Sequence, residues 1–419
     1  MVEDPLCNPN KPLKISFEEI TSAAYKIRSG VLNTPCILVL LILEVSYVKF
    51  NRDGHLFKEG FFYNKREGNF KERGARYAML MLNEEQKQKG VVAASLGNHA
   101  LAVCYHGYHL GIPVTVVMPI MAPIMKIQKC RELHANVIME GKDMNEAKKI
   151  AVALANERGW TYINGYDNPQ IIAGQGTIGL EILEQVQDID AVVVPTGGGG
   201  LLAGVAVAIK TLNPSIKVIG VESERCASYA KAVENQKPVL TTIEGTLADG
   251  LAVPMIGYNA WETSRNLVDK MVIVKEKWIA VAILRFIENE KCVVEGAGAC
   301  GLAAILAGQL EEFKGKRVVL ILSGGNIDTT ILGRCLERGL AADGRLIKCK
   351  VTVSDRPGGI SELCKLIGSI GVSIKDVKVV CETRDYIHSL ELRDLLFSRY
   401  KKVRLDTIPS KPAITSTTD

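Results

Sequence analysis

The stretch DAVVVPTGGGGLLAGVA, residues 190–206, decides the fold. Its first half, Ala191 to Pro195, is apolar at every position, the pattern of a strand buried on both faces and so of a parallel sheet. From Leu201 onward the residues favour a helix. Between the two stand Gly197, Gly198, Gly199 and Gly200. Without side chains in the way, backbone N–H groups can converge there on an anion, and the helix N-terminus adds its partial positive charge. A tight turn alone needs one or two glycines, so a run this long is predicted to hold a phosphate monoester. It is not a Walker A loop, because no Gly-Lys-Ser/Thr follows.

Working outward, the same texture recurs. GVVAAS (90–95), IPVTVVMP (112–119), ANVIME (135–140), IKVIGVE (216–222) and RVVLILSGG (317–325) read as further strands. MNEAKKIAVALANERG (144–159) and LLAGVAVAIKTLNP (201–214) read as helices ended by Gly or Pro. Strand and helix alternating this often means an α/β fold with helices on both faces of the sheet. Ligands in such folds sit at the carboxyl ends of strands. After about Asp343 the pattern changes to a short β-α-β-α unit. Its first helix is marked by Ile360, Leu363, Ile367 and Ile370, and a boundary is placed near 341–345.

Composition narrows the class. Against 51 basic residues stand 46 acidic ones, and a net +5 over 419 residues is too small for a nucleic-acid stripe or a polybasic membrane anchor. The 47% hydrophobic share excludes disorder as the main state. Eleven cysteines form no Cys-x-x-Cys pair, and an odd count speaks for a reducing compartment. The polar start MVEDPLCNPNKPLK lacks a signal peptide's apolar core. The apolar run Ile37–Leu43 is far short of the roughly 20 residues of a membrane span and reads as a buried strand or helix turn. A cytoplasmic protein is expected.

Two more glycine-bearing turns follow strands. AASLGNHALAV gathers Ser95, Leu96, Gly97, Asn98 and His99 at a helix start, a mouth suited to an anion or simply to helix capping. LILSGGN places Ser323 at the end of a very apolar strand. Lys71, in GNFKERGA, lies beside Phe70, and a lysine at the edge of an apolar core can lose its proton and become a nucleophile. AGQGTIGLEI contains Gly174, Gly176 and Gly179 in dinucleotide spacing, but NPQIIA precedes it where a strand should be. Close helix packing is the expectation there.

In their order, FKERGA, SLGNHA, AGQGTIGLEI, PTGGGGL, TLADGLAV, EGAGA and LSGGN resemble the serine/threonine dehydratase group of fold type II pyridoxal-phosphate enzymes, over about Phe17 to Gly339. The resemblance is to the threonine ammonia-lyase (threonine dehydratase) branch, and VTVSDRPGGISELCKLIGSIGVSIKDV (351–377) resembles the start of its ACT regulatory domain. It implies a tryptophan synthase β-like fold of two open, twisted parallel sheets with helices on both faces, plus a small α+β ACT-like domain. The catalytic domain would span 1–342, with a smaller subdomain at about 70–175 inserted in the larger one. A shortened ACT-like unit would follow at 343–406 and a loose tail at 407–419.

By the same resemblance the cofactor is pyridoxal 5'-phosphate. Lys71 would hold it as a Schiff base and later take the Cα proton. Asn98 would face the ring hydroxyl, Gly197 to Gly200 with Leu201 the phosphate, and Ser323 the pyridine nitrogen. The loop of Ser95, Leu96, Gly97, Asn98 and His99 would take the substrate carboxylate. The implied reaction is loss of the β-hydroxyl of L-threonine, and of L-serine, giving 2-oxobutanoate or pyruvate and ammonia, in a homodimer or homotetramer open to an amino-acid effector. Serine racemases of this group carry serine where Leu96 stands, and leucine has no proton to give to the opposite face of Cα. A racemase and a non-catalytic amino-acid binder are the rivals. No metal site is assigned, because Glu222 finds no partner carboxylate over Cys226 to Ser228. Cys36 to Arg66 departs from the family pattern, which there has an early strand pair.

Overall fold

The computed structural model describes residues 4–39, 56–59, 69–122, 124–346, 351, 356–371 and 373–374. By its contacts the chain divides into two compact units, Met1–Ile347 and Lys348–Asp419.

Among the described residues the first unit holds ten strands: β1 (Cys36–Val39), β2 (Leu56–Glu59), β3 (Val91–Ala94), β4 (Val114–Met118), β5 (Asn136–Met139), β6 (Thr161–Tyr162), β7 (Ala191–Pro195), β8 (Lys217–Ser223), β9 (Lys270–Val274) and β10 (Val318–Ile321). They form a six-stranded sheet in the order β1-β2-β10-β7-β8-β9 and a four-stranded sheet in the order β5-β4-β3-β6. Every pairing is parallel except β1 with β2, which run antiparallel with Cys36 opposite Glu59. Parallel neighbours need long crossovers, and the helices supply them. β10 lies between β2 and β7, so the chain leaves the large sheet after β2, builds the small sheet, and comes back.

The apolar runs read as strands are β3, β4, β5, β7, β8 and β10. β4, β7 and β10 are buried at every residue. The runs at 144–159 and 201–214 are helices, Met144–Arg158 and Gly200–Leu212. Asp143 caps the first by accepting the amides of Asn145 and Glu146, and Gly159 ends it at φ +69. β9 is not among the runs read as strands, although Met271–Val274 is apolar throughout; in the sheet Val272 and Val274 are buried and Ile273 is exposed. The departing segment Cys36–Arg66 does contain a strand pair, β1 with β2.

Gly174, Gly176 and Gly179 lie in the helix Pro169–Gln185, not in a nucleotide loop. A Cβ on Gly174 would stand 2.6 Å from Gly74 Cα, and one on Gly176 2.9 Å from the Gly204 carbonyl. One on Gly179 would meet the Ala208 methyl at 2.7 Å. The three glycines let this helix touch Lys71–Leu80 on one side and Gly200–Leu212 on the other. Close packing is what they serve.

In the second unit, the amphipathic helix expected from Ile360 is the helix Gly359–Ser369. The strand expected at 346–353, all but Leu346 and Val351, most of the one at 372–380, the helix at 385–400 and the tail lie outside the described residues.

Candidate active site

The turns at the carboxyl ends of β3, β7 and β10 open on one cleft of about 510 Å³. Lys71, Ser95, Leu96, Gly97, Asn98, His99, Gly197, Gly198, Gly199, Gly200, Leu201 and Ser323 all line it. Residues more than 250 positions apart in sequence are thus brought to a single wall: Phe70 N–H donates to Ser323 Oγ at 3.0 Å. That bond uses the serine oxygen as acceptor and leaves its O–H free to donate elsewhere.

Lys71 begins the helix Lys71–Leu80. Its Nζ donates to the Gly165 carbonyl at 2.5 Å and sits 5.3 Å from the centre of the Phe70 ring. Protein encloses the ammonium, and this loss of water pushes its pKa down to about 8. No carboxylate among its described partners offsets the burial.

The tetraglycine loop begins the helix Gly200–Leu212, with Gly199 at φ +89. It is close-fitted on its protein side. A Cβ on Gly198 would stand 2.3 Å from Tyr166 Cγ, and one on Gly200 2.2 Å from the Tyr166 carbonyl. On the cleft side remain amides and a helix N-terminus, a neutral seat for an anion.

Ser95 Oγ accepts the amides of Gly97 and Ala100 at 3.2 and 3.3 Å, which folds the 95–99 loop onto its helix. Leu96 lines the cleft and also packs on the core of the small sheet. The His99 ring turns away from the loop: it is buried, with Nε2 3.0 Å from the Ile163 carbonyl. Burial, then the charge of Lys71, brings its pKa down to about 3, so it is neutral. Only the backbone of His99 is left to meet a ligand at the loop.

Asn98 is held at both ends. Its Nδ2 donates to Glu295 Oε1 at 2.7 Å, and its Oδ1 accepts from Asn326 at 3.0 Å. One amide hydrogen stays free for a ligand. Glu295 stands where a Cβ on Gly324 (φ +101) would clash with its carboxylate. Burial and then Asp249 push the Glu295 carboxyl up to about 7, against the pull of Asn98. Glu295, Asn326, Gly165 and Tyr166 carry no mark as site residues in the motifs above. Glu295 and Asn326 stand inside EGAGA and LSGGN, but only long-range contacts show what they touch.

Glu222 accepts the amides of Tyr229 and Ala230 at 2.7 and 2.9 Å, so its carboxylate closes a helix start. The Cys226 thiol donates to the Leu251 carbonyl at 3.0 Å. Among the described residues no group of His, Cys, Asp and Glu could hold a metal ion.

An amine of lowered pKa and a tetraglycine helix start in one cleft suit an enzyme that joins a phosphorylated coenzyme to an amino compound. The comparisons agree. A profile described as pyridoxal-phosphate dependent enzyme matches residues 48–324, and the chain belongs to that family. It is 41% identical over 412 residues to a protein named L-threonine ammonia-lyase from Thermotoga maritima, covering 93% of this chain and 99% of that one. A Geobacter sulfurreducens protein of the same name is 40% identical over 344 residues, 78% of this chain and 85% of its own. Among solved structures, processed threonine deaminase isoform 2 of Solanum lycopersicum aligns with a TM-score of 0.68 at 32% identity, covering 78% of this chain and 95% of that one. Maize serine racemase aligns with a TM-score of 0.70 at 31% identity, covering 79% and 100%. The residues present fit pyridoxal phosphate: a lysine amine for its aldehyde, bare amides for its phosphate, and a hydroxyl and an amide for its ring.

Proposed function

We propose that this chain is an ammonia-lyase acting on L-threonine and L-serine, with 2-oxobutanoate or pyruvate and ammonia as products. The observation that carries it is the meeting, in one cleft, of the Lys71 amine, the tetraglycine loop, Asn98 and Ser323. The relatives' names supply the substrate. When bound, pyridoxal phosphate supplies an electron sink that acidifies the α-proton of an amino acid joined to it.

Gly197 to Gly200 and Leu201 would hold the phosphate through backbone N–H groups and the helix start. Asn98, fixed by Glu295 and Asn326, would offer its remaining N–H to the ring hydroxyl. Ser323 would offer its O–H to the ring nitrogen. With a hydroxyl and no carboxylate at that position, a bound ring would stay largely neutral and would supply a weaker electron sink, the kind suited to β-elimination. The amides of Ser95 to His99 seat the substrate carboxylate. Lys71 takes the Cα proton, because an amine with pKa near 8 is partly neutral at physiological pH. Leu96 offers no proton to the opposite face, which separates this site from a racemase despite the likeness to the maize enzyme.

Replacing Lys71→Ala tests the assignment. The expected result is loss of the visible absorbance gained on adding pyridoxal phosphate, and no 2-oxobutanoate from threonine. Unchanged turnover, or D-serine as the main product of the parent chain, overturns it. The C-terminal unit we read as an ACT-like, amino-acid-sensing module of a homodimer or homotetramer, on the resemblance of residues 351–377. A chain ending at Ile347 is expected to keep basal turnover and lose any response to added amino acids. An unaltered response would refute the regulatory role.

A further inference from the structure

The loop Asn164–Asp167 does none of the chemistry above, yet it touches both halves of it. The Gly165 carbonyl accepts from Lys71 Nζ, while Tyr166 fills the space beneath the tetraglycine loop. The loop is shaped from within: Asn164 Oδ1 accepts the amides of Tyr166 and Asp167 at 3.1 and 3.0 Å. Asp167 in turn accepts the amides of Tyr258 and Ala260, each at 3.0 Å.

From below, the loop rests on His99. A Cβ on Gly165 would stand 2.7 Å from both Cγ and Cδ2 of the imidazole, so the ring lies flush against a residue that has to be glycine. Nε2 lies 3.0 Å from the Ile163 carbonyl, two residues before Gly165. A carbonyl only accepts, so Nε2 carries the proton and Nδ1 holds a lone pair, buried without a partner. A second proton would place a cation beside Lys71.

We propose that the Gly165 carbonyl is the seat Lys71 occupies whenever its amine is free, and that His99 is the positioning residue that holds this seat. The proposal rests on the pyridoxal-phosphate reading of the cleft. A substrate's own amino group must take the lysine's place in each turnover, so the freed amine needs a station within reach and out of water. A carbonyl acceptor binds one N–H and leaves the nitrogen lone pair directed elsewhere, ready to accept a proton. Tyr166 ties the station to the phosphate loop through a single peptide link, which fixes one relative to the other.

Three full-length variants test this: Gly165→Ala, His99→Ala and His99→Gln. Two quantities are read. One is the pH midpoint of Lys71 labelling by isotopic reductive methylation of the cofactor-free chain, followed by peptide mass spectrometry. The other is kcat and KM on threonine. Gly165→Ala and His99→Ala are expected to shift the labelling midpoint downward by half a pH unit or more, because the carbonyl of residue 165 is displaced from the ammonium. They should lower kcat about tenfold with KM within twofold. His99→Gln, which can still donate to the Ile163 carbonyl, should stay within threefold of the parent. Variants that melt, label and turn over like the parent overturn the proposal. Should Gly165→Ala not fold, His99→Ala behaving like His99→Gln overturns it. A parent chain that binds no pyridoxal phosphate would sink the coenzyme reading instead, and the labelling shifts would still be measured.

Discussion

Lys71 shows how burial converts an ordinary side chain into a reagent. An exposed lysine holds its proton to about pH 10.4. Enclosed by protein, this one is pushed down to about 8. Only the neutral amine adds to an aldehyde. The rate at which the cofactor-free chain takes up pyridoxal phosphate is therefore expected to climb about tenfold per pH unit below about 8 and to level off above it. Stopped-flow absorbance across pH 6 to 10 checks this, and a climb that continues to pH 10 would show a solvated lysine. FKERGA marked Lys71 by resemblance, but the lowered pKa was not legible, since burial is a property of what folds around a residue. His99 makes the same point in reverse. Its place in SLGNHA suggested contact with a substrate, while its imidazole lies under Gly165. Sequence places a residue in a loop; packing decides where its side chain turns.

Among the elements, the helix Pro169–Gln185 is the one against which others are set. Gly174 lets it meet the helix that begins with Lys71, so closely that the approach is backbone to backbone. A methyl at this point has nowhere to go, because its neighbours are main-chain atoms. Gly174→Ala is expected to cost about 2–3 kcal/mol, as overpacking does, and to weaken coenzyme binding by displacing Lys71. Gly301 is the control: it too is helical and buried, but a Cβ there would meet nothing nearer than 3.5 Å. Gly301→Ala should be neutral or stabilise by up to about 1 kcal/mol. Thermal melts and a coenzyme titration of the two variants decide; equal behaviour would refute the packing argument. Most strands and helices were legible because long apolar runs and Gly, Pro or Asp punctuation are local signals. β9 is not among the runs read as strands although Met271–Val274 is apolar throughout, and the apolar run at Ile37 does not by itself tell that β1 pairs with β2 across the divergent segment.

At the scale of the whole molecule, several carboxylates are buried where they resist ionisation. Burial raises Glu222 and Glu295 to about 7 and Asp167 to about 6, well above unfolded values near 4. Between those limits the folded chain binds more protons than the unfolded one, so these groups stabilise most below about pH 4.5 and lose that contribution as pH rises through about 7. Glu222→Gln removes one of them. Relative to the parent, the variant is expected to be least favourable near pH 5 and to gain on the order of 1–2 kcal/mol by pH 8. Urea melts at the two pH values test it, and a gap independent of pH would mean Glu222 is ionised throughout. The sequence by itself determined the α/β class, the tetraglycine turn at a helix start, the pyridoxal-phosphate resemblance and the glycine-packed helix, since each is written in residues close together along the chain. Only the tertiary structure decided which turns share a cleft, that Glu295 and Asn326 hold Asn98, and that the Lys71 amine rests on Gly165. Hydrogen bonds and desolvation act across a few ångströms of space, and here those ångströms separate residues up to about 250 positions apart.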